Sequence, residues 1–206
     1  MIELPSVTLV AVGSARYKEA QQKQLDYSSG KVKFGAVRNV TAPTLSIDEW
    51  NRYVVFDLGA HIDTEFALLV HPDGGIAEAA MWDPEWLKLD YIGAPWPLPT
   101  DGYSYRGINN TLYRVGNSVA LRSKRLLDLP KKIGMEWKSF HGYFNEDGYI
   151  AVNMRHVFEE HGCKFGSYEQ ALLFGRENPM PEYGGPTFTY HKRLAEQNLK
   201  YPDYEK

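Results

Sequence analysis

Residues 67–75 read ALLVHPDGG: four apolar residues run straight into an imidazole, a proline, a carboxylate and two glycines. The wider segment TEFALLV (64–70) is continuous enough in apolar character to be a strand buried on both faces, as in a parallel sheet. Upstream, SVTLVAVG (6–13) has the same character and is closed by Gly13 and Ser14. Between them, YKEAQQKQLDYSS (17–29) is rich in helix formers and stops at Gly30, and VKFGAVRNV (32–40) reads as a second strand. SIDEWNRYVVFDLGAHI (46–62) opens with Ser46 and carries Glu49 three residues later, the signature of a capping box. Its apolar residues Ile47, Trp50, Val54 and Leu58 recur at helical spacing. The order through residue 75 is therefore β-α-β-α-β, which predicts a parallel sheet with helices on its faces. Ligands of such sheets bind outside the carboxyl ends of the strands, and HPDGG stands at one of these ends.

Downstream the pattern is less regular. PEWLKLDYIGAPWPLPTDGYSYRG (84–107) reads as loop with a short strand. VGNSVALRSKRLLDLPKKIG (115–134) reads as a Gly-Asn turn, a short strand and a helix from Ser123. EDGYIAVNMRHVFEEHG (146–162) reads as a helix broken near Val152 and ended by Gly162. GPTFTYHKR (185–193) carries His191 in an aromatic strand, and the last residues are expected to fray.

Composition narrows the function classes. A chain of 206 residues with 43% hydrophobic residues is sized for one globular domain. Net charge is −3 and no long basic run occurs, which argues against nucleic acid as the main partner. Cys163 is the single cysteine, so no disulfide can form within the chain, as suits a reducing compartment. MIELPSVTLVAVGS lacks the features of a signal peptide, and no apolar run is long enough for a membrane span. The expected location is cytoplasmic. Aromatic residues at 14% suit walls that stack on sugars and flat ligands as well as they suit a core.

Several segments carry residue types that do chemistry, each beside a plainer reading. Asp73 is a hard oxygen ligand for Mg2+ or Mn2+, His71 points to its side of an extended chain, and Gly74 and Gly75 let a ligand approach the backbone. Pro-Asp-Gly-Gly is equally ordinary turn chemistry. In SFHGYFNEDGYIAV (139–152), His141, Asn145, Glu146 and Asp147 form a polar group, flanked by Phe and Tyr, where the pattern predicts a helix start. A carboxylate there serves as a general base, or simply complements the helix dipole. Gly116 and Asn117 place backbone amides beside a cleft or make a simple turn, and Trp96 in YIGAPWPLP (91–99) stacks on a sugar or lines the core.

The order of these segments resembles glycosyltransferases of the GT-A type. More closely, it resembles a family of small glycosyltransferase-like domains of bacteria and large DNA viruses. The matching pieces are LPSVTLVAV, SIDEWNRYVVFDLGAHIDTEFALLVHPDG, WLKLDYIGAPWP, VGNSVALRSKRLLDLP, FNEDGYIAV and FTYHK, which touch most of residues 4–192. The resemblance implies an α/β, GT-A-like domain: a Rossmann-like half (1–75) with a mixed, mostly parallel sheet, an acceptor-binding half (76–192) and a tail (193–206). It implies transfer of a sugar from a nucleotide-sugar, by default UDP-glucose or another UDP-hexose, to a glycan or other hydroxyl acceptor, with inversion. Val10, Ala11, Val12 and Gly13 would cradle the base and ribose; His71, Asp73, Gly74, Gly116 and Asn117 would complete the donor site. Asp73 and His191 would hold Mn2+ or Mg2+, Asp147 or Glu146 would be the base, and Trp96, His141 and Tyr143 would face the acceptor. Other glycosyltransferase domains, fused or separate, are the implied protein partners. The family's Asp-x-Asp reads His71-Pro72-Asp73 here, and Gly-Asn-Gly-Gly reads Gly116-Asn117-Ser118-Val119. Two rival readings stand beside this one: a metal-dependent nucleotide-sugar hydrolase, and, supported by the first change, a carbohydrate- or nucleotide-binding domain with weak catalysis.

Overall fold

The computed structural model describes residues 1–43, 46–138 and 145–192. Along the chain run β1 (Ile2–Gly13), α1 (Lys18–Ser29), β2 (Val32–Thr41), α2 (Ile47–Phe56), β3 (Phe66–Val70), β4 (Gly74–Ile76), β5 (Tyr91–Pro95) and β6 (Val115–Ser123). They are followed by α3 (Lys124–Lys132), α4 (Glu146–Gly148), α5 (Arg155–Glu160), α6 (Tyr168–Phe174), β7 (Gly175–Arg176) and β8 (Thr189–His191). The central sheet has the order β2-β1-β3-β6-β5. β1 pairs with β2 and β3 in parallel, whereas β6 is antiparallel to both β3 and β5. Four strands therefore point one way and β6 alone is reversed, giving the mixed, mostly parallel sheet expected.

Alternation along β1 explains the two-sided core. Leu9 and Ala11 pack on one face with Leu68, Val70, Trp86 and Phe174, while Val10 and Val12 pack on the other with Leu69, Val54 and Leu58. Each such aliphatic side chain contributes about 1.5–3 kcal/mol by leaving water. A third cluster, containing Tyr91, Ala120, Leu126, Tyr149 and Phe158, lies beneath α3 and the segment after α4.

The capping box of α2 is present: Ser46 Oγ accepts from Glu49 N at 3.2 Å and Glu49 Oε2 accepts from Ser46 N at 3.0 Å. The helix is shorter than its pattern, because residues 58–61 tighten into a 3-10 turn and Ile47 is exposed. The helix after Glu146 is broken as expected: a π-helical stretch covers Tyr149–Asn153 before α5. β4 and β7 were not expected; they are very short and Gly-rich, and with β8 they form a second sheet of order β4-β8-β7. α6, with its own Ser167–Gln170 capping box, is likewise beyond the expected elements.

The Gly-Asn turn requires correction. Gly116 and Asn117 lie inside β6, where the register with β5 jumps from Gly93↔Ala120 to Pro95↔Val115. Between these pairs four residues of β6 (116–119) thus oppose one of β5, Ala94, and the extra residues form a bulge. Asn117 adopts φ 81, a left-handed conformation that asparagine tolerates better than most residues.

Candidate functional site

The first cavity, about 810 Å³, opens at the carboxyl ends of β1 and β3 and is lined among others by Val12, Gly13, Gln21, Trp50, His71 and Asp73. Trp50 is delivered by α2 and fixed by donating Nε1–H to Val12 O at 2.9 Å. His71 packs between two rings: Trp50 lies 5.3 Å away and His191 5.2 Å away, the latter nearly parallel at 27°. Burial, followed by the neighbouring His191, pulls the His71 pKa down to about 3, so the ring is neutral near pH 7.

HPDGG is a turn with a purpose. His71 N donates to Gly74 O at 2.9 Å and Gly74 N to His71 O at 3.0 Å, with Pro72 and Asp73 at the tip. The chain then enters β4, and Gly74 lies opposite His191 of β8. Lys192 N donates to Asp73 O at 2.9 Å, which completes the juncture. The glycines serve packing against the chain itself. A Cβ on Gly74 would lie 2.7 Å from Val119 Cγ2, and one on Gly75 would lie 1.8 Å from Gln24 Nε2 of α1. This corrects the expectation that they clear space for a ligand.

Asp73 and His191, far apart in sequence, come together: Asp73 Oδ1 is 3.8 Å from His191 Nε2. On the other side of the ring, His191 Nδ1 is 3.4 Å from Glu177 Oε1, which is itself 2.9 Å from Lys192 Nζ. Burial alone would raise the Glu177 pKa, but the His191 and Lys192 contacts outweigh it and hold the carboxyl at about 2. Among the described residues, no group of three His, Cys, Asp or Glu side chains stands ready to hold a metal.

Glu177 and Lys192 also border a second cavity of about 480 Å³, together with Trp96, Tyr105, Asp147 and Asn153. Trp96 and Tyr105 stack at 4.7 Å and 9°, forming an aromatic wall. Asp147 faces this space. Its carboxyl is held well above the usual carboxylate range by burial and then by the adjacent Glu146 charge.

Glu146 has a different environment. It is buried, and its Oε1 accepts from Arg122 Nη2 at 2.7 Å and from Ser118 Oγ at 2.5 Å. Its Oε2 accepts from Asp147 N at 2.5 Å, and its own backbone N–H is taken by Asn51 Oδ1 at 3.0 Å. Ser118, the departure from Gly-Asn-Gly-Gly, thus contributes one of the clamps.

Other expected site residues are not brought to the cavities. Val10 and Ala11 are fully covered, because strand alternation sends them into the two core clusters. Gly116 lies under the Trp96 ring, where a Cβ would be 1.8 Å from Cη2. Asn117 is buried: its Oδ1 accepts from Val119 N at 2.9 Å and its backbone O from Tyr91 OH at 2.6 Å. His141 and Tyr143 lie outside the described residues. Conversely, Glu177, Lys192 and Tyr105 border the site without having been expected. Lys192 adjoins His191, but nothing near Glu177 in GRENP signals a site.

Comparisons with known proteins agree with this architecture. A solved structure described as a glycosyltransferase involved in the glycosylation of the major capsid of PBCV-1 is similar in fold, with a TM-score of 0.60. The likeness covers 93% of this chain and 96% of that one at 11% identity. No curated protein sequence matches the chain. A family model described as "Protein of unknown function (DUF5672)" matches residues 47–191, and the chain belongs to that family.

Proposed function

We propose that this chain is a GT-A-type glycosyltransferase that moves a sugar from a nucleotide-sugar, by default a UDP-hexose, to an acceptor hydroxyl with inversion. One observation carries the reading: Asp73 borders the first cavity and Glu177 the second, His191 lies between these two carboxylates, and Asp147 faces the second cavity. The nucleoside would occupy the first cavity against Trp50, and the acceptor the second against the Trp96–Tyr105 wall. Likeness in fold to a glycosyltransferase supports the class of reaction.

Asp147 is the base in this reading, since Glu146 is committed to Arg122 and Ser118. Asp147 takes the acceptor proton as the hydroxyl oxygen bonds to the anomeric carbon. The bond from that carbon to the diphosphate breaks on the opposite face, and its electron pair leaves on the diphosphate oxygen. A raised carboxyl pKa makes Asp147 a stronger base once it is ionised.

Asp73 supplies a hard oxygen and His191 a nitrogen 3.8 Å from it, two donors that would suit Mn2+ better than Mg2+ and would need other ligands to complete the shell. His191 Nε2 faces Asp73, and its other nitrogen has a carboxylate beside it, as metal-binding histidines usually do. Such an ion, when bound, neutralises charge on the leaving diphosphate.

Calorimetric titration of UDP and UDP-glucose, with Mn2+ and then with EDTA, tests the donor half; transfer to an acceptor panel tests the rest. The single carboxylate in His71-Pro72-Asp73 favours a second reading, a binding domain with weak catalysis. That reading predicts nucleotide binding without turnover, whereas a hydrolase would release free sugar with no acceptor present.

A further inference from the structure

The small sheet aligns one candidate residue from each strand. Asp73 precedes β4, His191 ends β8 and Glu177 follows β7. β4 sets Gly74 opposite His191, and β7 sets Arg176 opposite Tyr190, so one further step of the register places Glu177 beside His191. The imidazole thus lies between two carboxylates, 3.8 Å from Asp73 through Nε2 and 3.4 Å from Glu177 through Nδ1.

We propose that Glu177 is a positioning residue that fixes His191 as the Nδ1–H tautomer, turning the Nε2 lone pair toward Asp73 as a cation ligand. The cation part rests on the metal reading above; the tautomer part does not.

A neutral imidazole has one N–H and one lone pair. Nδ1 is buried and makes no formed hydrogen bond among the described residues; the Glu177 carboxylate is its close contact. A buried polar nitrogen without a partner is costly. Placing the lone pair on Nδ1 would set two acceptors against each other. Placing the proton there gives Glu177 a donor, and a small closure of the 3.4 Å contact makes a charge-assisted bond. Nε2 is too far from Asp73 for a hydrogen bond, and its lone pair then faces a carboxylate across 3.8 Å. A cation between the two satisfies both. Lys192 holds Glu177 through Nζ at 2.9 Å and Asp73 O through its backbone N–H at 2.9 Å, so one residue fixes both flanks. It does so at φ 67, a left-handed conformation unusual for lysine.

The test uses the full chain labelled with 15N-histidine, held in EDTA at pH 8, with long-range 1H–15N correlations reporting the His191 tautomer. The His191 signals are assigned by their loss in His191→Gln. The wild type should show a protonated Nδ1 and a bare Nε2. Glu177→Met should abolish that preference, and Glu177→Gln, whose amide oxygen still accepts, should restore it. Thermal melts of both variants report folding, and the Gln variant keeps the test alive should the Met variant not fold. Calorimetry with MnCl2 in the presence of UDP should show Mn2+ affinity reduced about 10–100-fold in Glu177→Met. A bare Nδ1 in the wild type, or an unchanged tautomer in Glu177→Met, overturns the positioning role. A correct tautomer with no Mn2+ binding by the wild type leaves that role standing and overturns the metal reading instead.

Discussion

Asp147 and Glu146 share a peptide bond and differ in what their carboxylates can do. Glu146 is enclosed by Arg122, Ser118 and the Asp147 amide, whereas Asp147, largely buried and accepting from Gly148 N, borders the second cavity. Asp147→Asn should therefore lower kcat by about 10²–10⁴ and leave the Kd for UDP unchanged. Equal turnover in that variant would remove Asp147 from the role. The rate should also fall as pH drops through the raised Asp147 pKa, because the protonated acid accepts no proton. His71 yields a second prediction, for stability. Its pKa is about 3 when folded against an ordinary 6.5, so below pH 6.5 the unfolded chain binds a proton the folded chain refuses. That stability is complete above pH 6.5 and is lost toward pH 3, at up to about 1.4 kcal/mol per pH unit. Glu177, about 2 when folded against an ordinary 4.5, adds a second loss from pH 4.5 toward 2. Urea unfolding from pH 7 to 3 should show both. His71→Phe should flatten the decline between pH 6.5 and 4.5 and leave only the Glu177 part of the decline below it; an unaltered upper decline would exclude His71 as its source.

The elements differ in how much of them was legible. β1 and β3 announce themselves because a nearly continuous apolar run has few alternatives at that length, and α2 because Ser46 and Glu49 mark its start. The β6 bulge was misread because Gly-Asn is turn chemistry, and only pairing with β5 shows that the strand continues through it. Glu177 was invisible because a β7–β8 pairing across a long connection, not local pattern, brings it to His191. The bulge also invites a packing test. A Cβ on Gly116 would penetrate the Trp96 ring, while one on Gly102 meets nothing within 4 Å. Gly116→Ala should cost about 1–3 kcal/mol in urea unfolding and disturb the Trp96–Tyr105 stack, whereas Gly102→Ala should stay within about 0.5 kcal/mol. Equal stability of the two variants would show that Trp96 moves aside freely and is no fixed wall.

At the scale of the molecule, strand direction gathers the chemistry at one edge. β1 and β3 deliver their carboxyl ends to the first cavity, and the β4-β8-β7 sheet fastens that edge to the second. No helix among the described residues is long and apolar enough to cross a membrane. With a net charge of −3 and with Asp73 and Glu177 near the juncture, the proposed anionic donor would meet local repulsion that Arg16 in the first cavity relieves only in part. Lys192 offsets part of it, and a divalent ion at Asp73 and His191 would offset more. Nucleotide and ion should therefore stabilise the fold together more than separately. A ligand at 100 times its Kd adds about 2.7 kcal/mol, or roughly 5–11 °C in Tm for a chain of this size. UDP with Mn2+ should produce a shift of that order, and UDP in EDTA a much smaller one. Asp73→Ala should erase the difference between the two conditions, and Asp147→Asn should preserve it, since Asp147 borders only the second cavity. Equal shifts with Mn2+ and EDTA would place the nucleotide without an ion at Asp73. No shift under either condition would mean that the cavity beside Trp50 and His71 receives something other than a uridine nucleotide.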